Sequence, residues 1–105
     1  MLKDFYKATT KKFDVTISYN GVYPDITNDT VRIEFKKEKN GAVLLSKDAD
    51  VTTSGAGGKA KFNLSKAETD IEACRYYYFI IWDTTIATID EEHIVETENV
   101  NIMSR

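Results

Sequence analysis

The chain is poor in the residues that most often carry chemistry or covalent bracing. Its 105 residues include one cysteine, Cys74, one histidine, His93, and one proline, Pro24. A lone cysteine excludes an intrachain disulfide, and inside an apolar run it reads as a small buried hydrophobe. A transition-metal site draws on several His and Cys ligands, and this chain has one of each. A catalytic triad needs a nucleophile, a base and an orienting acid; His93 has only Glu91 and Glu92 beside it and reads as a solvated residue. No stretch approaches the ~20 apolar residues of a membrane span. Met1 to Lys7 lacks the apolar segment of a secretion signal, so synthesis in a reducing cytoplasm is expected. Basic excess is missing too: 14 Lys and Arg stand against 17 Asp and Glu, a net charge of −3. Nucleic-acid binders usually show the opposite balance.

The one glycine-rich stretch, Gly55-Ala-Gly-Gly-Lys59, fails as a phosphate loop. Thr53 stands where that motif needs its first glycine, and Ala60 where it needs Ser or Thr. An alternating strand pattern follows rather than a helix, so no helix N-terminus would face a phosphate. Loop carboxylates Asp25, Asp29, Asp48 and Asp50 are the right donor type for calcium. They lack EF-hand spacing, and such aspartates ordinarily build turns. No catalytic, cofactor or metal residue is assigned.

What the chain does have is one dense aromatic run, Cys74-Arg-Tyr-Tyr-Tyr-Phe-Ile-Ile-Trp82. It holds three of six tyrosines and the only tryptophan. Aromatic and β-branched composition without Gly or Pro marks a strand. Alternation puts Cys74, Tyr76, Tyr78, Ile80 and Trp82 on one face. Arg75, Tyr77, Phe79, Ile81 and Asp83 share the other. Both faces are apolar, so each needs cover. Two readings of the second face are open: Lys and Glu stems lie over it, or Tyr77, Phe79 and Ile81 form a contact with another chain.

The remaining chain reads as short strands and turns within one domain. Residues 1–12 form a basic arm with Lys3, Lys7, Lys11 and Lys12. It is either mobile or docked on a neighbouring subunit through Phe5 and Tyr6. Residues 13–105 form the single domain. Phe13 to Tyr19 alternates and ends at Asn20-Gly21, a turn signal. Thr30 to Lys37 and Ala42 to Lys47 flank Asn40-Gly41 and predict a hairpin with a type I′ turn. Residues 52–58 read as a flexible loop. Lys59 to Leu64 alternates with Ala60, Phe62 and Leu64 inward. Ser65-Lys-Ala-Glu68 matches a capping box and predicts a short helical turn over 66–70. Thr84 to Asp90 is β-rich; His93 to Val95 and Val100 to Ile102 are weaker strand candidates. Six to eight short strands with little helix point to an all-β antiparallel sandwich or barrel.

Four stretches resemble one known group. They are Asp29-Thr-Val-Arg-Ile-Glu-Phe-Lys-Lys37, Gly58-Lys-Ala-Lys-Phe-Asn-Leu-Ser65, Glu68-Thr-Asp70, and Tyr76-Tyr-Tyr78 with Ile80. Together they look like bacteriophage baseplate and tail domains, and most like the immunoglobulin-like N-terminal domain of upper baseplate proteins. The likeness covers roughly residues 29–90. The chain departs from the group at Ala73-Cys74, where a glycine is usual, and at Asp90-Glu-Glu-His93. The resemblance implies an immunoglobulin-like sandwich of about seven strands and a structural role in a virion. It implies no catalysis and no cofactor, with other virion proteins and further copies of the chain as partners. Neither nucleic acid nor membrane is expected as a partner. The protein would be made in the bacterial host cytoplasm and end in the virion. The alternative is a carbohydrate- or cell-surface-binding module, with Tyr19, Tyr23 and Tyr77 as a platform.

Overall fold

A computed structural model describes residues 2–84 and 92–104. They are built of strands and turns. The strands are β1 (Phe5–Tyr6), β2 (Lys11–Thr16), β3 (Thr30–Lys36), β4 (Leu45–Asp48), β5 (Lys59–Leu64), β6 (Arg75–Asp83) and β7 (Glu92–Met103). One sheet runs in the order β1-β7-β6-β3-β4, and a second pairs β2 with β5. The aromatic run is β6, at the centre of the larger sheet.

Alternation explains why each strand faces as it does. On β3, Val31, Ile33 and Phe35 are buried while Arg32, Glu34 and Lys36 are half-buried. On β5, Ala60, Phe62 and Leu64 are buried, and on β6 so are Tyr76, Tyr78, Ile80 and Trp82. Phe13 and Val15 of β2 pack against this core, and the Phe13 ring stacks on Phe62 at 5.0 Å. The core therefore draws on both sheets. Trp82 is 1% exposed and its indole N–H donates to Asp29 Oδ2 at 2.9 Å. That bond offsets the cost of holding the Asp29 carboxylate inside.

Several turns differ from expectation, each for a local reason. The β3–β4 hairpin forms, but its return strand begins at Leu45 rather than Ala42. Its turn closes through Gly41 N–H to Glu38 C=O at 2.9 Å. Neither Asn40 nor Gly41 has a positive φ, so this is not the type I′ turn, which requires it at both central residues. The pair with that geometry is Asn20-Gly21, at φ 51° and 77°. It closes a tight bend in which Tyr19 and Val22 exchange both backbone bonds, at 2.8 and 3.0 Å.

The capping box at Ser65 is present in full. Ser65 N–H donates to Glu68 Oε1 at 2.9 Å, and Glu68 N–H to Ser65 Oγ at 3.2 Å. What it caps is a hydrogen-bonded turn, not a helix: Thr69 N–H reaches Ser65 C=O at 3.0 Å, and the chain leaves at Asp70. Residues 52–58 contain a 3₁₀ turn, Gly55–Gly57, ending at Gly58 with φ 79°.

Part of the N-terminal stretch is joined to this chain's own sheet rather than standing free of it. Phe5–Tyr6 pairs in parallel with β7, Phe5 opposite Ile102 and Tyr6 opposite Met103. The larger sheet is therefore mixed rather than purely antiparallel. Lys11 and Lys12 already belong to β2. The two weak strand candidates near the C-terminus are one strand, β7, irregular opposite Ile80 and Ile81. The β-rich stretch proposed from Thr84 to Asp90 lies, from residue 85 on, outside the described residues.

Candidate protein interface

The outward face of β6 is built by the strand's own alternation. Tyr77 pairs across with Lys36 and Asn99, Phe79 with Glu34 and Thr97, and Ile81 with Arg32 and Ile94. Tyr77 and Phe79 are half-buried, and Ile81 is 6% exposed. Two ammonium groups lie over the rings: Lys36 Nζ is 5.0 Å from the Phe79 centroid, and Lys39 Nζ is 5.5 Å from that of Tyr77. Arg32 Nε donates to Glu34 Oε2 at 3.1 Å beside them. Cation–π contacts at such partly exposed rings contribute ~0.5–1 kcal/mol. The lysines screen the rings in part and leave each ring with an open portion.

The five expected interface residues do not converge. Tyr77, Phe79 and Ile81 share the β6 face. Phe5 is 6% exposed and belongs to this chain's own core. It is corrected from an intermolecular anchor to a core residue, because β1 pairs with β7 and turns the ring inward, with Lys11 Nζ 5.9 Å from its centroid. Tyr6 is 49% exposed, but it sits on β1, separated from β6 by β7. Sequence reasoning missed Ile94 and Val95, which are 64% and 36% exposed on β7. Ile94 lies opposite Ile81 and extends the apolar strip. The signal was the apolar pair within His93-Ile-Val95, short enough to pass as a minor strand.

The tyrosines of the alternative platform are likewise dispersed. Tyr19 packs edge-on against Trp82 at 6.2 Å, on the inward side of the larger sheet. Tyr77 lies on the outward side. Tyr23 is 63% exposed near the Asn20-Gly21 turn.

The acidic loop residues serve turns. Asp25 accepts from Thr27 N–H and Oγ1–H at 3.0 and 2.5 Å. Those bonds, the hydroxyl's first, hold its carboxyl below the usual range. Asp50 accepts from the Thr52 and Thr53 hydroxyls at 2.9 and 2.7 Å and from both backbone N–H groups. Its carboxyl is held far below the ordinary value, chiefly by the Thr53 hydroxyl. Among the described residues, no three His, Cys, Asp or Glu side chains converge as metal ligands would.

Two buried phenols remain. Tyr78 Oη lies 2.5 Å from Glu96 Oε2 and 3.1 Å from Glu98 Oε2, and it accepts from Leu2 N–H at 3.2 Å. Burial first, and Glu96 second, push its ionisation well above the ordinary range. Tyr76 Oη donates to the Glu72 carbonyl at 2.6 Å; burial pushes its ionisation up likewise. Both act as neutral hydrogen-bond donors that fix chain geometry.

No protein-family model matches the chain, and no curated protein matches it in sequence.

Proposed function

We propose that this chain is a structural, non-catalytic component of a phage or prophage particle, in the baseplate, tail or head fibre. It is an immunoglobulin-like sandwich working through protein–protein contacts with other virion proteins and copies of itself. The immunoglobulin-like reading is supported by connectivity: a β7-β6-β3-β4 sheet and a β2-β5 pair match the G-F-C-C′ and B-E sets of that fold. It is supported again by Tyr76. A tyrosine at the start of the F strand, bonded to a backbone carbonyl a few residues upstream, is a hallmark of such sandwiches. Tyr76 is the second residue of β6 and reaches Glu72, four residues back, at 2.6 Å.

The observation that carries the assembly reading is the central strand's second face. Tyr77 and Phe79 stand half-open between lysine stems, with Ile94 beside them at 64% exposure. Aromatic groups within a charged rim are the usual make-up of a contact surface. The virion assignment is supported by the likeness of residues 29–90 to baseplate domains.

Size-exclusion chromatography with light scattering tests the contact. The expected result is an oligomer that Phe79→Asp converts to a smaller, still folded species. A wild-type protein monomeric at high concentration sinks the self-assembly reading. Flanking capsid, tail or lysis genes test the particle assignment.

A further inference from the structure

A second surface lies along the other edge of β7 and shares Ile94 and Val95 with the strip beside β6. Asp14 to Tyr19 on one side and His93 to Glu96 on the other line a cleft of ≈ 450 Å³, with Trp82 also on its wall. Asp14–Thr16 on one side and His93–Glu96 on the other are strand edges. β2 pairs only with β5. β7 pairs with β6, and along its other edge with β1 only at Ile102 and Met103. Among the described residues, the edge of β7 beside the cleft thus has no strand neighbour.

The backbone groups on the β2 side are aimed into this space. Ile17 N–H donates to Gly58 C=O at 2.8 Å, toward β5. Successive residues in an antiparallel pair point their N–H and C=O groups to opposite sides. The Thr16 and Asp14 amides therefore face away from β5, into the cleft. At the far end of β7 the same kind of edge amide, Asn101 N–H, is satisfied by Asp4 Oδ1 at 2.9 Å.

Free edges are commonly blunted by Lys or Pro. Residues 14–19 and 93–96 contain neither, and the register shift of β7 falls at residues 94–96. Among its described lining residues the cleft has no Lys or Arg; Asp14 is exposed there, and Glu96 is bonded to the Tyr78 hydroxyl. Its apolar floor includes Ile17, 1% exposed, and Trp82. Asp14–Thr16 of this wall belong to β2, and the remaining residues to Tyr19 continue beyond the strand.

We infer that this cleft takes an extended segment of a partner protein as an added strand, with apolar side chains alternating with Lys or Arg. Edge amides and carbonyls would supply the ladder, and side chains on one face of the segment would supply selectivity, as in other strand-addition complexes. The apolar set turns toward Ile17 and Trp82; the basic set, on the other face, meets Asp14, which is exposed. This goes beyond the β6 face and does not depend on it.

Fluorescence anisotropy with a labelled decapeptide of alternating valine and lysine tests the proposal. Two control peptides are used: alternating valine and glutamate, and the basic peptide N-methylated at every second amide. The expected result is saturable binding of the basic peptide and at least ~tenfold weaker binding of both controls, a difference anisotropy resolves readily. Thr16→Pro removes one cleft-facing amide at a position where an edge strand tolerates proline, and should weaken binding to the same degree. Should Thr16→Pro lose its native circular dichroism, Asp14→Lys, at an exposed position, decides instead by the same loss. Equal binding of the N-methylated peptide, or no binding of the basic one, overturns the inference. So does a wild-type dimer that Thr16→Pro dissociates, since a second copy would then be the occupant. Phe79→Asp leaves this assay unchanged, so the two surfaces are tested separately.

Discussion

Removing a single oxygen measures how much the Tyr76 bond contributes. Tyr76 is 1% exposed and its ring packs edge-on against Phe35, 6.3 Å away at 90°. Tyr76→Phe keeps that ring, its burial and its contact, so the apolar terms cancel between the variants. What is lost is the hydroxyl's bond to the Glu72 carbonyl at 2.6 Å. An intramolecular hydrogen bond contributes a net ~0.5–1.5 kcal/mol, and an acceptor left buried and unpaired adds to that. The bond is part-buried, so the added penalty is smaller than for a fully buried acceptor. The expected loss is therefore about 1 kcal/mol, or roughly 4–8 °C in melting temperature for a domain near 100 residues. Urea unfolding followed by tryptophan fluorescence reads it directly, with the midpoint falling and the slope unchanged. A variant that melts within a degree of wild type refutes the role given to this bond. A loss above ~3 kcal/mol would mean that ring packing had changed too, as large core truncations do.

Two further perturbations test turn geometry and charge. Gly58→Ala should be far more damaging than Gly21→Ala, although both glycines have positive φ, 79° and 77°. A Cβ at Gly58 would lie 2.8 Å from the Ile17 carbonyl oxygen, whereas one at Gly21 meets nothing within 4 Å. Gly21→Ala should cost ~1–2 kcal/mol from backbone conformation alone, and thermal melts should show Gly58→Ala exceeding it by another ~1–3 kcal/mol. Acid stability should depend on Asp50. Its carboxyl titrates lower folded than unfolded, so its contribution is present above the unfolded value of ~3.9 and is lost as pH falls through the folded value. Asp4, Glu68 and Glu72 shift the same way. Asp50→Asn should flatten the decline in melting temperature below about pH 4; an unchanged acid limb would remove Asp50 from the account.

Strands whose alternation is local were legible in the sequence. Thr30–Lys36 and Lys59–Leu64 bury the residues their period assigns inward, because each buries one face only. β6 was legible from composition, and its inward set, Tyr76 to Trp82, is buried as alternation requires. β7 was not, for two reasons. Its register shifts opposite Ile80 and Ile81, and such an irregularity breaks the two-residue period that pattern reading depends on. It also turns Glu96 and Glu98 to the Tyr78 hydroxyl, so acidic residues occupy positions that read as solvent-facing. The role of Phe5 was hidden because a two-residue strand has no period, and its pairing partner lies 97 positions along the chain at Ile102. The two Asn-Gly pairs were indistinguishable as dipeptides. Only Asn20-Gly21 has flanking residues that pair directly across the turn, and that closure selects the left-handed conformation.

The parallel pairing of β1 with β7 has a mechanical meaning. A pull applied at the two ends of the chain draws Phe5–Tyr6 and Ile102–Met103 in opposite directions along their common axis. The bonds between them include Lys7 N–H to Met103 C=O and Asn101 N–H to Asp4 Oδ1, both at 2.9 Å. Such a load strains these bonds together in shear, rather than peeling them one after another. The core strands β6 and β3 feel no tension until that clamp slips.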